Sequence, residues 1–135
     1  MLFRSRTLPQ FIDPAQGNAS AIGLDANDPA SADDVVTQIL VLPQNQLVEL
    51  RLRSHDVIHS FFVPELRFKQ DAVPGLENSL RFLPVRAGEY ELVCAQLCGL
   101  GHHRMRGRVR IVSPAEFATW MAAQSAQVQA RSAVR

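Results

Sequence analysis

Between Val48 and Arg53 the chain alternates without a break: Val48, Leu50 and Leu52 are apolar, while Glu49, Arg51 and Arg53 are charged. A period of two sends successive side chains to opposite faces of a pleated strand, so this segment predicts a strand with one buried and one wet face. Val109 and Ile111 repeat the pattern against Arg108 and Arg110. Similar stretches lie at about 36–42, 58–63, 79–83, 89–94 and 107–112. Between them Pro43-Gln44-Asn45, Val73-Pro74-Gly75 and Ala87-Gly88 supply the fixed or permissive φ that reversals require. Several short strands at this spacing predict an all-β sandwich.

The flanks read differently. Residues 1–34 are rich in Pro, Asn, Asp, Ser and Ala and show no periodicity, which predicts an extended N-terminal arm. Residues 35–112 form the β domain, and 113–135 a C-terminal helix and tail. The helix begins with Ser113 as N-cap, Pro114 at the first helical position and Glu116 placed for a capping box. Phe117, Trp120 and Met121 follow at helical spacing, a stripe suited to packing on the sheet, so Trp120 is read as a core anchor. With 135 residues there is room for one domain of ordinary size. A formal net charge of +1 and 20% charged residues give no global field that would draw in nucleic acid or an anionic membrane. No apolar run reaches spanning length and no apolar segment follows the first arginines, so the chain as given reads as soluble and without a secretory signal.

The chemistry is concentrated in one half of the chain. All four histidines, His55, His59, His102 and His103, fall between residues 55 and 103, together with both cysteines. Cys94 and Cys98 are too close in sequence for a disulfide that would constrain the chain much, and closing so small a loop would strain the backbone. Two inert thiols are the bland reading of such a pair, but the neighbouring donors argue for a metal. Thiolate and thioether sulfur with imidazole nitrogen suit copper or zinc, whereas calcium and magnesium take oxygen. Cys94, Cys98, His102 and His59 could form a tetrahedral zinc shell, although zinc has no use for Met105. Cys98, His102 and Met105, with His59 from an earlier strand, also fit a mononuclear blue copper loop. Cys94 is the discriminating residue, because two thiolates in one loop can bridge two coppers and leave each one histidine.

Three motifs in order, Ser54-His55-Asp56-Val57-Ile58-His59-Ser60-Phe61, Lys69-Gln70-Asp71-Ala72-Val73-Pro74-Gly75 and Cys94-x-Gln96-x-Cys98-Gly99-x-x-His102-x-x-Met105, resemble the copper domain of cytochrome c oxidase subunit II. The resemblance runs from about Val35 to Met121. It implies a cupredoxin-like Greek-key β-sandwich holding two copper ions as a CuA centre. Cys94 and Cys98 would bridge both ions, His59 and His102 would each bind one, Met105 would be a weak ligand, and the backbone carbonyl of Gln96 the remaining one. It also implies the role: a redox subunit, not catalytic on its own, takes single electrons from cytochrome c and passes them to haem in oxidase subunit I. Spreading one electron over two metals halves the change at each bond, and rigid loops limit relaxation. The copper domain of nitrous oxide reductase resembles the same motif, but that enzyme needs a large additional domain for which this chain has no room.

Departures from the family pattern carry their own expectations. Gln96 stands where a glutamate is common, and that carboxylate is associated with a magnesium site at the subunit I interface, which counts against that site here. His55 and His103 are read as surface histidines, and Asp56 as fixing the loop before His59 through an Asx-type bond. Lys69, Asp71 and Arg81 are either a solvated face or part of the contact with subunit I. Two membrane-spanning helices and an aromatic stretch with a tryptophan where the electron enters are usual ahead of this domain. Only Phe3 and Phe11 are aromatic before residue 61, and the missing helices suggest a fragment starting at an introduced methionine. Membrane attachment would come through those helices or the oxidase complex, placing the domain on the extracytoplasmic, periplasmic face. A c-type haem domain is not expected, since no Cys-x-x-Cys-His occurs.

Overall fold

A computed structural model describes Thr37 and residues 39–132; the predicted arm over 1–34 lies outside the described residues. The chain divides into two compact units, one of them Ile39–Ser113 and the other containing the helix. The first unit carries seven strands among the described residues: β1 Ile39–Pro43, β2 Val48–Leu52, β3 His59–Val63, β4 Phe68–Ala72, β5 Asn78–Phe82, β6 Gly88–Cys94 and β7 Arg106–Val112. They form a five-stranded sheet in the order β1-β7-β6-β3-β4 and a two-stranded sheet of β2 and β5. All pairings are antiparallel except β1 with β7, which is parallel. The six predicted strands are found, with no end shifted by more than three residues. β4 is an addition, in the segment read above only as a motif.

Strand parity explains the core. On β6 and β7, Leu92 and Val109 share a face with Ile111, and all three are buried; Glu89, Glu91, Arg108 and Arg110 occupy the other face and are exposed. Each such fully buried aliphatic side chain contributes about 1.5–3 kcal/mol relative to an exposed one. β2 behaves as its alternation predicts, with Leu50 buried and Glu49 on the wet face opposite Arg81. There Glu49 accepts a hydrogen bond from the Ser79 hydroxyl at 3.0 Å and pairs with Arg81 and Arg51, which holds its carboxyl below the usual range. Phe61 and Phe68 stack on neighbouring strands at 5.9 Å, and Phe82 of the second sheet meets Phe68 at 4.6 Å, so an aromatic cluster joins the two sheets.

Two turns match their chemistry. Asn45 adopts φ 58, a conformation that Asn tolerates. Gly75 adopts φ 77 behind Pro74, with the Leu76 amide bonded to the Val73 carbonyl, a type II reversal. The helix α1, Pro114–Ser132, begins at the predicted proline, and within it Phe117 and Trp120 lie 6.1 Å apart. No helix among the described residues is long and apolar enough to cross a membrane.

Candidate metal centre

The same parity that buries Leu92 and Val63 aims two donors along the core. His59 shares the face of Phe61 and Val63 on β3, and Cys94 lies directly across from Phe61 at the end of β6. The loop between β6 and β7 supplies the rest. Its neck is closed by the Cys94 amide bonding the Met105 carbonyl at 3.1 Å, and the Ala95 amide ties it to the Ser60 carbonyl of β3 at 3.1 Å. Gly101, at φ 94, lets the chain enter a 3₁₀ turn over His102–Arg104, a step an ordinary residue makes only with strain.

All six residues singled out from the sequence meet here. The Cys94 and Cys98 sulfurs lie 3.9 Å apart as free thiols. Cys94 Sγ is 3.9 Å from His59 Nδ1, and Cys98 Sγ is 3.4 Å from His102 Nδ1, so each thiol has its own imidazole. Met105 Sδ is 3.0 Å from Cys98 Sγ, and the Gln96 carbonyl oxygen is 3.2 Å from Cys94 Sγ. The donor atoms of His59, Cys94 and Cys98 all fall within 4.8 Å of one another. Two sulfurs of thiols, a thioether and two imidazole nitrogens form a soft donor set that fits copper. Burial pushes the Cys98 thiol up to about 11, and Cys94 adds to the rise through a hydrogen bond and its charge.

His55 and His103 are exposed, as read from the sequence. Asp56 reaches beyond the local backbone bond expected of it. Its carboxylate Oδ1 contacts the ligand-candidate ring itself, 2.8 Å from His59 Nε2, and also accepts the Ser54 hydroxyl at 3.1 Å. Partial burial raises its pKa, but the hydrogen bonds from His59 and the Val57 backbone outweigh it and the group sits below the usual carboxylate range. Sequence reading also missed Ser60, a buried hydroxyl that donates to Asp71 Oδ1 at 2.7 Å. A serine between two strand positions of apolar parity, with an aspartate in the next motif, was the available signal. Arg81 has its partner in Glu49, and Lys69 is exposed on β4.

A curled β-sandwich with paired thiols and imidazoles at one end defines a cupredoxin-like domain with a soft-metal site. Residues 24–112 match the family described as the periplasmic domain of cytochrome c oxidase subunit II, and the chain belongs to it. It is 39% identical over 117 residues to the alternative cytochrome c oxidase subunit 2 of Bradyrhizobium diazoefficiens, covering 84% of this chain and 42% of that relative. The chain spans less than half the length of the curated relatives it matches. Among solved structures, it superposes on the periplasmic domain of subunit II of cytochrome oxidase of Bradyrhizobium japonicum with a TM-score of 0.64 at 28% identity, covering 78% of this chain and 75% of that one. A second match, with a TM-score of 0.58 at 31% identity over 66% of this chain and 63% of that one, is subunit II caught in a mixed disulfide with a thioredoxin-like protein.

Proposed function

We propose that this domain is the electron-receiving module of a haem-copper oxidase, holding two copper ions and passing single electrons from cytochrome c toward haem in subunit I. The observation that carries the reading is the pairing of each thiol with its own imidazole, 3.9 Å for Cys94 with His59 and 3.4 Å for Cys98 with His102. A mononuclear site would use both imidazoles but has no use for the second thiol, Cys94. Cys94, Cys98, His59 and His102 would hold the copper, which would supply one-electron redox chemistry. The chain's part is to release two thiol protons, to aim His59 and His102 at opposite thiols, and to offer Met105 and the Gln96 carbonyl as weaker donors. Strand ends and a loop closed at its neck hold those positions, which limits rearrangement when the charge changes. The domain would work on the periplasmic face, with membrane attachment supplied by other parts of the protein or by the complex.

Metal must meet reduced thiols, and the sulfurs of Cys94 and Cys98 are near enough to oxidise to a disulfide after a modest loop shift. A thioredoxin-like reductant, the class of protein found joined to the relative's subunit II, is a fitting partner for loading. Gln96 has no carboxylate for magnesium, so a magnesium site at the subunit interface is not part of the proposal.

Copper loading followed by metal analysis and electron paramagnetic resonance tests the central claim. Two coppers per chain and a seven-line hyperfine pattern are expected; one copper with four lines defeats it. Cys94→Ser is expected to abolish the centre, whereas a mononuclear copper protein would keep a coloured site and a structural zinc module would bind without colour.

A further inference from the structure

His59 must present one nitrogen to a metal and do something else with the other. Its Nδ1 lies on the thiol side, 3.9 Å from Cys94 Sγ, while Nε2 is 2.8 Å from Asp56 Oδ1. A carboxylate only accepts hydrogen bonds, so the ring proton belongs on Nε2 and the Nδ1 lone pair faces the cluster. Asp56 is itself held: the Ser54 hydroxyl donates to the same oxygen at 3.1 Å, and Ser54 forms an isolated bridge with Pro74 across the loop. His102 is treated differently. Its Nδ1 reaches Cys98 Sγ at 3.4 Å, and its Nε2 has no acceptor among the described residues.

We propose that Asp56 is a positioning residue that locks His59 with Nδ1 toward the thiols and makes it the more strongly donating of two unequal imidazoles. The inference rests on the copper reading above and adds a polarity to the centre. A carboxylate behind an imidazole raises the ring's basicity and fixes its orientation, and losing such a partner typically lowers metal affinity about 10–100-fold. A more electron-rich ligand stabilises the oxidised metal, so Asp56 lowers the reduction potential.

Two variants separate orientation from charge. Asp56→Ala removes both; Asp56→Asn keeps an acceptor oxygen and removes the charge. In the metal-free protein, nuclear magnetic resonance is expected to show a slowly exchanging His59 Nε2–H in the wild type, retained in Asp56→Asn and lost in Asp56→Ala, with the His102 ring proton exchanging fast in all three. After loading, copper affinity is expected to fall about 10–100-fold in Asp56→Ala and less in Asp56→Asn. The reduction potential should rise in both. A purely structural role would leave the potential of a well-folded Asp56→Asn where it was. An unchanged potential in Asp56→Asn, or a ring proton equally protected without Asp56, overturns the proposal. Failure of the wild type to bind two coppers would instead sink the functional reading and leave the ring-proton result standing.

Discussion

At the scale of single residues, Cys98 shows what the loop costs before metal arrives. Burial first, and then the neighbouring Cys94, raise its thiol from 9.0 to about 11. Between those two pH values the native chain keeps a proton that the unfolded chain has released. Stability from this group is therefore complete below about pH 9.0 and is lost as pH climbs toward 11. Urea denaturation of the reduced, metal-free protein across that window is expected to show a falling midpoint, and Cys98→Ser to flatten that part of the slope. An identical slope in the variant would assign the loss elsewhere. Metal binding has to displace the same proton, so copper uptake weakens as pH falls. Which residues gather here was legible in the sequence because the spacing of Cys94, Cys98, His102 and Met105 lies within one loop. Which thiol faces which imidazole was not, since that depends on how β3 and β6 register against one another.

At the scale of elements, parity accounts for both the core and the site. Leu92 precedes Cys94 by two positions on the buried face of β6 and is 3% exposed. Leu92→Ala is expected to cost about 2–5 kcal/mol in chemical denaturation, through lost burial and the cavity left behind. Glu91 is next to it on the wet face, pairing with Arg106 at 3.5 Å, and Glu91→Ala should cost at most about 1 kcal/mol. Equal losses would mean that the two faces are not distinguished as described. The strands with clear alternation, β2 and β7, were readable for this reason. β4 was not: Phe68-Lys69-Gln70-Asp71-Ala72 puts three polar residues in a row, which an edge strand bonded on one side only can carry. Its reversal from β3 is hidden as well, because a 3₁₀ turn over Pro64–Leu66 ends at Arg67 with φ 56 and no glycine marks it. The parallel pairing of β1 with β7 joins segments far apart in sequence and leaves no local trace.

At the scale of the whole domain, the loops that carry the candidate donors present an apolar rim. Leu97 and Leu100, which flank Cys98, are 79% and 110% exposed, and Val57 and Ile58 ahead of His59 are also exposed. Large aliphatic side chains held in water beside the candidate metal site favour a partner whose contact face is itself apolar. Charged rims steer diffusion and make association depend on salt, whereas apolar contacts are nearly indifferent to it. Arg104 on one loop and the Asp56 carboxylate on the other are both exposed and carry opposite charges, so little net field surrounds the site. Leu100→Ser removes rim area without touching the core, and folding stability should stay within about 0.5 kcal/mol of the parent. Stopped-flow reduction of the copper-loaded domain by cytochrome c is expected to slow, with the same modest dependence on ionic strength as the parent. A variant reduced as fast as the parent would show that the electron arrives by another face. A steep loss of rate with salt in both proteins would show that charge, not the leucine rim, governs the encounter.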